Sequence, residues 1–267
     1  VARVDWRRLA IAGDMVTCAR DDVAVDLDGL AAGLAADRLA ASLQQLSVRN
    51  FVLEVTGEIL CRGVRPDGTP WRIGIVDPQR ADPGQEAPLV TIPLADRALC
   101  TSGDYRNFTV VDGEVITHVF DPRTGKNPTH GVVSVSVLAR SCALADALGT
   151  AFMVTGPEGA EDVLARSPEP DASALFVIAA ADGSLRTVEV SWPEAFALDG
   201  RPLQRPPLDA SQQRDRESAL AVARAEQQQH PDQVEPIVWV GRRLGYLGRF
   251  RDAVALSANT PCRRRSG

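Results

Sequence analysis

The stretch Ala98-Leu-Cys-Thr101-Ser-Gly-Asp-Tyr105-Arg-Asn-Phe108-Thr-Val-Val-Asp112-Gly113-Glu-Val-Ile-Thr-His118-Val-Phe120-Asp121-Pro-Arg-Thr-Gly125 decides the fold class. Residues 98–101 are a short apolar strand. Residues 108–120 are two β-prone runs around Asp112-Gly113, the dipeptide that suits a tight hairpin turn. Asp121-Pro122 and Thr124-Gly125 then favour a further turn. Working outward, residues 30–46 carry leucines at helical spacing (Leu30, Leu34, Leu39, Leu43, Leu46) among many alanines, with Asp28 and Gly29 just ahead. Residues 50–56 predict a strand. Residues 59–64 and 71–76 predict a hairpin around Arg65-Pro-Asp-Gly-Thr-Pro70, and 77–87 a loop. Strands are predicted over 90–94, 132–138, 175–180 and 187–190, and a helix over 143–154. Helices mixed with hairpins predict an α+β domain, with mixed or antiparallel sheets and packed helices. A short strand fits within residues 15–25.

The 267 residues are 45% hydrophobic, enough for a sizeable core, and the net charge of −6 disfavours a nucleic-acid partner. No apolar run is long enough for a membrane-spanning helix, and the first residues lack the apolar core of a signal peptide. Five cysteines (Cys18, Cys61, Cys100, Cys142, Cys262) lie far apart without a C-x-x-C pair, so they read as scattered small core or loop residues. The composition changes near residue 198. Residues 199–213 predict a linker and 214–258 a short helical hairpin with the spacing of one tetratricopeptide unit, a surface for a protein partner. Residues 259–267 predict a disordered basic tail.

Three clusters carry chemistry. The first is Asp26-Leu-Asp-Gly29-Leu-Ala-Ala32-Gly-Leu-Ala-Ala-Asp37, where a glycine ahead of a helix lets backbone N–H groups approach a phosphate; alone, it serves equally as an ordinary helix start. The second joins Thr101-Ser102-Gly103, hydroxyl and backbone donors at a strand end, to His118 and Asp121. That pair suits acid–base or positioning work, or simply builds a turn. The third is Ala145-Asp146-Ala-Leu-Gly-Thr150. Asp146 and Thr150 point off one helix face and present hard oxygen donors suited to Mg²⁺, or form a cap or a solvated pair.

In this order the clusters resemble the ApbE family of FAD:protein FMN transferases. That pattern runs Asp-Leu-Gly-Gly-Ile-Ala-Lys-Gly, Asn-x-Gly-Gly-Asp, Thr-Ser-Gly-Asp-Tyr, His-x-x-Asp-Pro-x-Thr-Gly and Ala-Asp-Ala-x-x-Thr. The resemblance spans residues 26–190. It implies Mg²⁺-dependent transfer of FMN from FAD, the substrate, to a Ser or Thr hydroxyl of an acceptor protein, with release of AMP. It also implies site roles. Asp146, Thr150 and the Gly29 carbonyl would hold Mg²⁺, and Asp26, Ser102 and Gly103 would touch FAD. Phe120 would line the flavin, and His118, with Asp121 beside it, would activate or position the acceptor hydroxyl. A site on the envelope or periplasmic side of the membrane is implied too, although no lipid-attachment cysteine is visible. Two motifs depart from the pattern. Ala32 stands where the family has a phosphate-facing Lys, a contact worth about 1.5–3 kcal/mol, and Glu54-Val-Thr-Gly-Glu58 replaces Asn-x-Gly-Gly-Asp. The family also implies a longer leading segment than the 25 residues ahead of Asp26.

Overall fold

The computed structural model describes residues 5–18, 24–78, 88–104, 108–111, 114–167, 169–180, 184–196, 202–203 and 210–229. After a single 3-10 turn come β1 (Leu9–Ala12) and β2 (Met15–Cys18), a separate two-stranded hairpin, then helix α1 (Asp28–Gln45). Strands β3 (Phe51–Val55), β4 (Glu58–Arg62), β5 (Trp71–Val76), β6 (Pro88–Leu94) and β7 (Ala98–Gly103) follow. The hairpin of β8 (Phe108–Val111) and β9 (Glu114–Thr117) leads to β10 (Val132–Ala139) and helix α2 (Cys142–Ala165). The chain continues through β11 (Ser173–Ala179), β12 (Leu185–Val190), β13 (Pro202–Leu203) and helix α3 (Ala210–Gln229). This is an α+β fold.

Among the described residues the main sheet has seven strands in the order β13-β12-β11-β10-β7-β4-β3, every pair antiparallel. Strand alternation divides its side chains between two cores. Leu60, Ala98, Cys100, Val135, Val137, Ala174 and Phe176 face one side, where α1 and α2 lie. Cys61, Leu99, Leu138 and Leu175 face the other, beneath the β5–β6 hairpin and Trp192. Each layer is close to a sheet-plus-cover sandwich, so both faces of the central strands are dry.

The helix pair sets the position of the site, and it is packed on small residues. The buried residues of α1 are Gly33, Ala36 and Ala40, whereas Leu34, Leu39 and Leu46 are exposed. The leucine stripe is therefore not the buried face, although Leu43 does pack against the core. Small residues win because the two backbones nearly touch: a Cβ on Gly33 would stand 2.4 Å from the Cys142 carbonyl oxygen. Asp37 then clamps the pair. Its carboxylate accepts from the backbone N–H of Cys142 (3.0 Å) and Ala143 (2.9 Å) and from the Ser141 hydroxyl (2.9 Å). Two of the orphan donors at the start of α2 are thus satisfied from another helix. Ser141 caps the same end, accepting from Leu144 N–H at 3.3 Å.

Three sequence expectations change. Strand β4 does not pair with β5: it folds back on β3 through Thr56-Gly57 and pairs on its other edge with β7, while β5 pairs with β6. Both turn residues take positive φ (53° and 104°), the geometry of a two-residue hairpin turn, so the short Thr-Gly link outcompetes the longer Pro-Asp-Gly loop. The helix predicted over 143–154 runs on to Ala165, with a kink at Gly156 (φ 68°) before Pro157. Helix α3 begins at Ala210, inside the predicted linker, and Leu220 and Ala223 on it are buried. The Asp112-Gly113 turn, most of the 77–87 loop, the second half of the predicted helical hairpin and the basic tail lie outside the described residues. No described helix is long and apolar enough to cross a membrane.

Candidate active site

Helix α1 starts where Asp26 folds its carboxylate onto the N–H of Asp28 at 2.9 Å, which turns the chain into the helix. Gly29, in the first turn, then lies against α2. A Cβ there would stand 2.9 Å from the Thr150 Oγ1, and that hydroxyl lies 3.5 Å from the Gly29 carbonyl oxygen. One turn further on, the Gly33 N–H donates to Asp146 Oδ2 at 2.9 Å. Asp146 is buried, and burial raises the pKa of its carboxyl, with the Gly33 hydrogen bond opposing. Gly29, Asp146 and Thr150, which lie up to 121 positions apart in sequence, are thereby brought to one helix–helix seam. Ala32, on the turn between Gly29 and Gly33, is partly buried and adds no charge there.

Strand β7 forms the third wall. Its alternation sends Cys100 and Ser102 to the helix side, and the Ser102 hydroxyl sits over Gly149, where a Cβ would come within 2.6 Å. Gly149 is thus the residue that lets the Thr101-Ser102-Gly103 strand end approach the Asp146–Thr150 turn. The register Ile59↔Leu99 and Leu60↔Ala98 carries Glu58 alongside Cys100. Burial pushes the Glu58 carboxyl up to about 7; hydrogen bonds from Cys100 and the Thr101 backbone pull it back, and the Asp146 charge raises it further. Its Oε2 is buried without a hydrogen-bond partner among the described residues.

These donors fit a hard divalent cation. A carboxylate, a hydroxyl and a carbonyl oxygen are Mg²⁺-type ligands, and Mg²⁺ commonly takes only one or two carboxylates beside substrate phosphates. A buried Asp146 and a half-buried Glu58 whose charges oppose each other, Glu58 with one oxygen unpartnered among the described residues, are what a cation would relieve.

The second half of the site adjoins the first. Two residues after Ser102, Asp104 lines a cavity of about 190 Å³ together with Thr117, Asn127, His130 and Met153 of α2. Burial pushes the Asp104 carboxyl up to about 6, its own backbone N–H and the His118 charge opposing. Asn127 ties the end of β9 to the loop: its Oδ1 accepts from Thr117 N–H at 3.1 Å, and its Nδ2 donates to the Thr117 and Val119 carbonyls. His130 accepts from Val132 N–H at Nδ1 (3.2 Å), while its Nε2 is buried without a hydrogen-bond partner among the described residues. His118 itself is exposed, and the Phe120 ring is half exposed beside it.

Asp121 holds the shape of this loop. Both of its oxygens take Arg123 guanidinium hydrogen bonds at 2.9–3.2 Å, and Oδ1 also accepts from Arg123 N–H at 2.8 Å. The Arg123 guanidinium and backbone hold the Asp121 carboxyl below the usual carboxylate range. Its backbone closes the turn with Thr124, Gly125 and Lys126. Four hydrogen bonds from Arg123 therefore occupy the Asp121 carboxylate and hold its orientation.

The sequence reading missed Asp37, Glu58, Asp104, Asn127 and His130. Glu58 and Asp104 sit inside recognisable motifs, which was the available signal. Asp37 closes the first quoted cluster, while the hydrogen bonds of Asp37, Asn127 and His130 reach partners that only the fold brings close.

With this geometry in hand, comparison with known proteins is specific. The ApbE family profile matches residues 1–176. The FAD:protein FMN transferase of Vibrio cholerae is 40% identical over 150 residues, 56% of this chain and 44% of that protein. That of Escherichia coli K12 is 35% identical over 166 residues, 62% of this chain and 45% of that protein. The chain therefore spans a little under half the length of these relatives. Among solved structures, the flavin transferase ApbE from Vibrio cholerae superposes with a TM-score of 0.61 at 33% identity, covering 73% of this chain and 60% of that one. The apo flavinyl transferase ApbE of Pseudomonas stutzeri gives 0.57 at 34% identity, covering 70% and 56%. Sequence profile, relatives and fold agree: the chain belongs to the ApbE family.

Proposed function

We propose that the chain transfers FMN from FAD to a Ser or Thr hydroxyl of an acceptor protein and releases AMP. The observation that carries this reading is the seam itself: the Gly33–Asp146 hydrogen bond and the Gly29–Thr150 approach put three oxygen donors beside the Ser102 strand end. Relatives named as FAD:protein FMN transferases support the substrate and the group transferred.

Asp146, Thr150 and the Gly29 carbonyl would hold Mg²⁺, which when bound neutralises charge on a pyrophosphate and keeps it oriented. The chain's own residues do the rest. The Ser102 hydroxyl and the Gly103 backbone bind the phosphate or ribityl portion at the end of β7. Asp26 contributes at the start of α1, and the exposed face of Phe120 offers a ring on which the flavin packs. His118, exposed at the mouth beside the Asp104 cavity, accepts the proton of the acceptor hydroxyl as it attacks phosphorus. Asp121, locked by Arg123, fixes the loop that presents His118. Ala32 leaves the phosphates without the lysine contact of the family pattern, so substrate charge falls more heavily on the cation and on backbone donors. Catalysis is then chiefly positioning and electrostatics.

The experiment mixes the chain with FAD, Mg²⁺ and a Thr-bearing acceptor and follows AMP by chromatography alongside acceptor mass. AMP and adduct in equal amounts support transfer. AMP without adduct identifies pyrophosphate hydrolysis, with water as acceptor. Bound FAD with neither product identifies a flavin-binding module, the reading that Ala32 favours.

A further inference from the structure

Cys100 and Cys142 are 42 positions apart in sequence, yet their sulfurs stand 3.4 Å apart. Both side chains are fully buried and both are free thiols. Neither has a part in the proposed transfer. Their placement gives the contact a consequence. Cys100 lies on β7 immediately before Thr101-Ser102-Gly103, and Cys142 is the first residue of α2, one turn ahead of Asp146. The other described cysteines do not compete: Cys61 points into the core on the opposite face of the sheet, and Cys18 is exposed on the separate β1–β2 hairpin. A disulfide brings sulfurs to about 2.05 Å, so about 0.7 Å of movement from each side chain closes the gap.

We propose that Cys100 and Cys142 form a thiol–disulfide modification site that staples β7 to the first turn of α2 beneath the Asp146–Thr150 pair. The oxidant is a small-molecule disulfide. The Cys142 thiolate attacks one of its sulfurs, giving a mixed disulfide and one released thiol. The Cys100 thiolate then displaces the second thiol as the Cys100–Cys142 bond forms. Two protein thiols are oxidised, one small disulfide is reduced to two thiols, and the protons of both cysteines end on those thiols. The Cys142 hydrogen bond, burial and the Glu58 charge all push the Cys100 thiol up, which makes Cys100 the resolving partner and the reaction slow. Entry of the oxidant requires local opening of the first turn of α2, so the bond forms over hours rather than seconds.

The test incubates the intact chain with oxidised glutathione overnight, denatures it in acid, alkylates the remaining thiols and maps the peptides. The expected product is one linked peptide joining Cys100 to Cys142, two hydrogens lighter than its parts. The bond should raise Tm by roughly 5–15 °C, because it closes a long loop, and dithiothreitol should reverse it. Full alkylation of both cysteines, or glutathione adducts with no linked peptide, overturns the proposal. The map needs no variant to fold, and it reads the same whether or not FMN is transferred.

Discussion

Asp146 has an observed role and a proposed one, which one substitution separates. Its Oδ2 holds the Gly33 N–H, which secures α1, and in the proposed function its negative charge would serve the cation. Asp146→Asn keeps an acceptor for the N–H and loses the charge. We expect a Tm near or above the parent, because burial already disfavours the charged form, and FMN transfer lowered by about 10²–10³-fold. Calorimetry and acceptor mass check the two halves separately. A pH dependence follows from Glu58 and Asp104, whose folded carboxyls are raised to about 7 and about 6 from 4.5 and 3.8. An acid that holds its proton longer in the folded state destabilises that state as pH rises. The metal-free chain should therefore lose stability between about pH 4 and pH 7, by up to about 3 kcal/mol from Glu58. Urea denaturation across that range measures it, and Glu58→Gln should flatten the upper part of the slope. Asp146 and Thr150 were legible because a helix places i and i+4 together and their motif is distinctive. Glu58 and the cysteine pair were not, since their meaning depends on which strand lies beside β4 and on how closely α2 approaches the sheet.

At the scale of elements, the site depends on how closely α1 and α2 approach. Gly33→Ala puts a methyl within 2.4 Å of the Cys142 carbonyl, a backbone atom that cannot step aside. The helices must separate, which we expect to cost about 1–3 kcal/mol by denaturant titration and to weaken metal binding as Asp146 loses its donor. Asp37→Ala removes the acceptor for two α2 backbone N–H groups and the Ser141 hydroxyl. A loss of about 2–3 kcal/mol is expected, larger than the roughly 1 kcal/mol of Ser141→Ala, which removes the local cap alone. Helices α1 and α2, most of α3 and strands β3 to β12 were readable as elements in the sequence. The buried face of α1 was not: five leucines at helical spacing outweigh Gly33, Ala36 and Ala40 in any hydropathy pattern, yet close backbone approach selects the small side. The β4 pairing was missed for a comparable reason, because the Thr56-Gly57 turn is short and the Pro-Asp-Gly loop is the louder signal.

At the scale of the whole molecule, antiparallel pairing places β7 between β4 and β10, so that motifs from residues 26–33, 101–104 and 146–150 meet on one face. Next to Asp104, at the end of β7, Val119, Asn127, Pro128 and His130 of the following loop and Met153 of α2 line one cavity. That convergence was implied by motif order and required the fold to display it. The most direct measurement is the mass of a Thr-bearing acceptor after incubation with the full chain, FAD and Mg²⁺. One FMN phosphoester per acceptor, with matching AMP and its loss in Asp146→Asn, is the predicted result. An unmodified acceptor and no AMP, from a chain that demonstrably binds FAD and the metal, would contradict it.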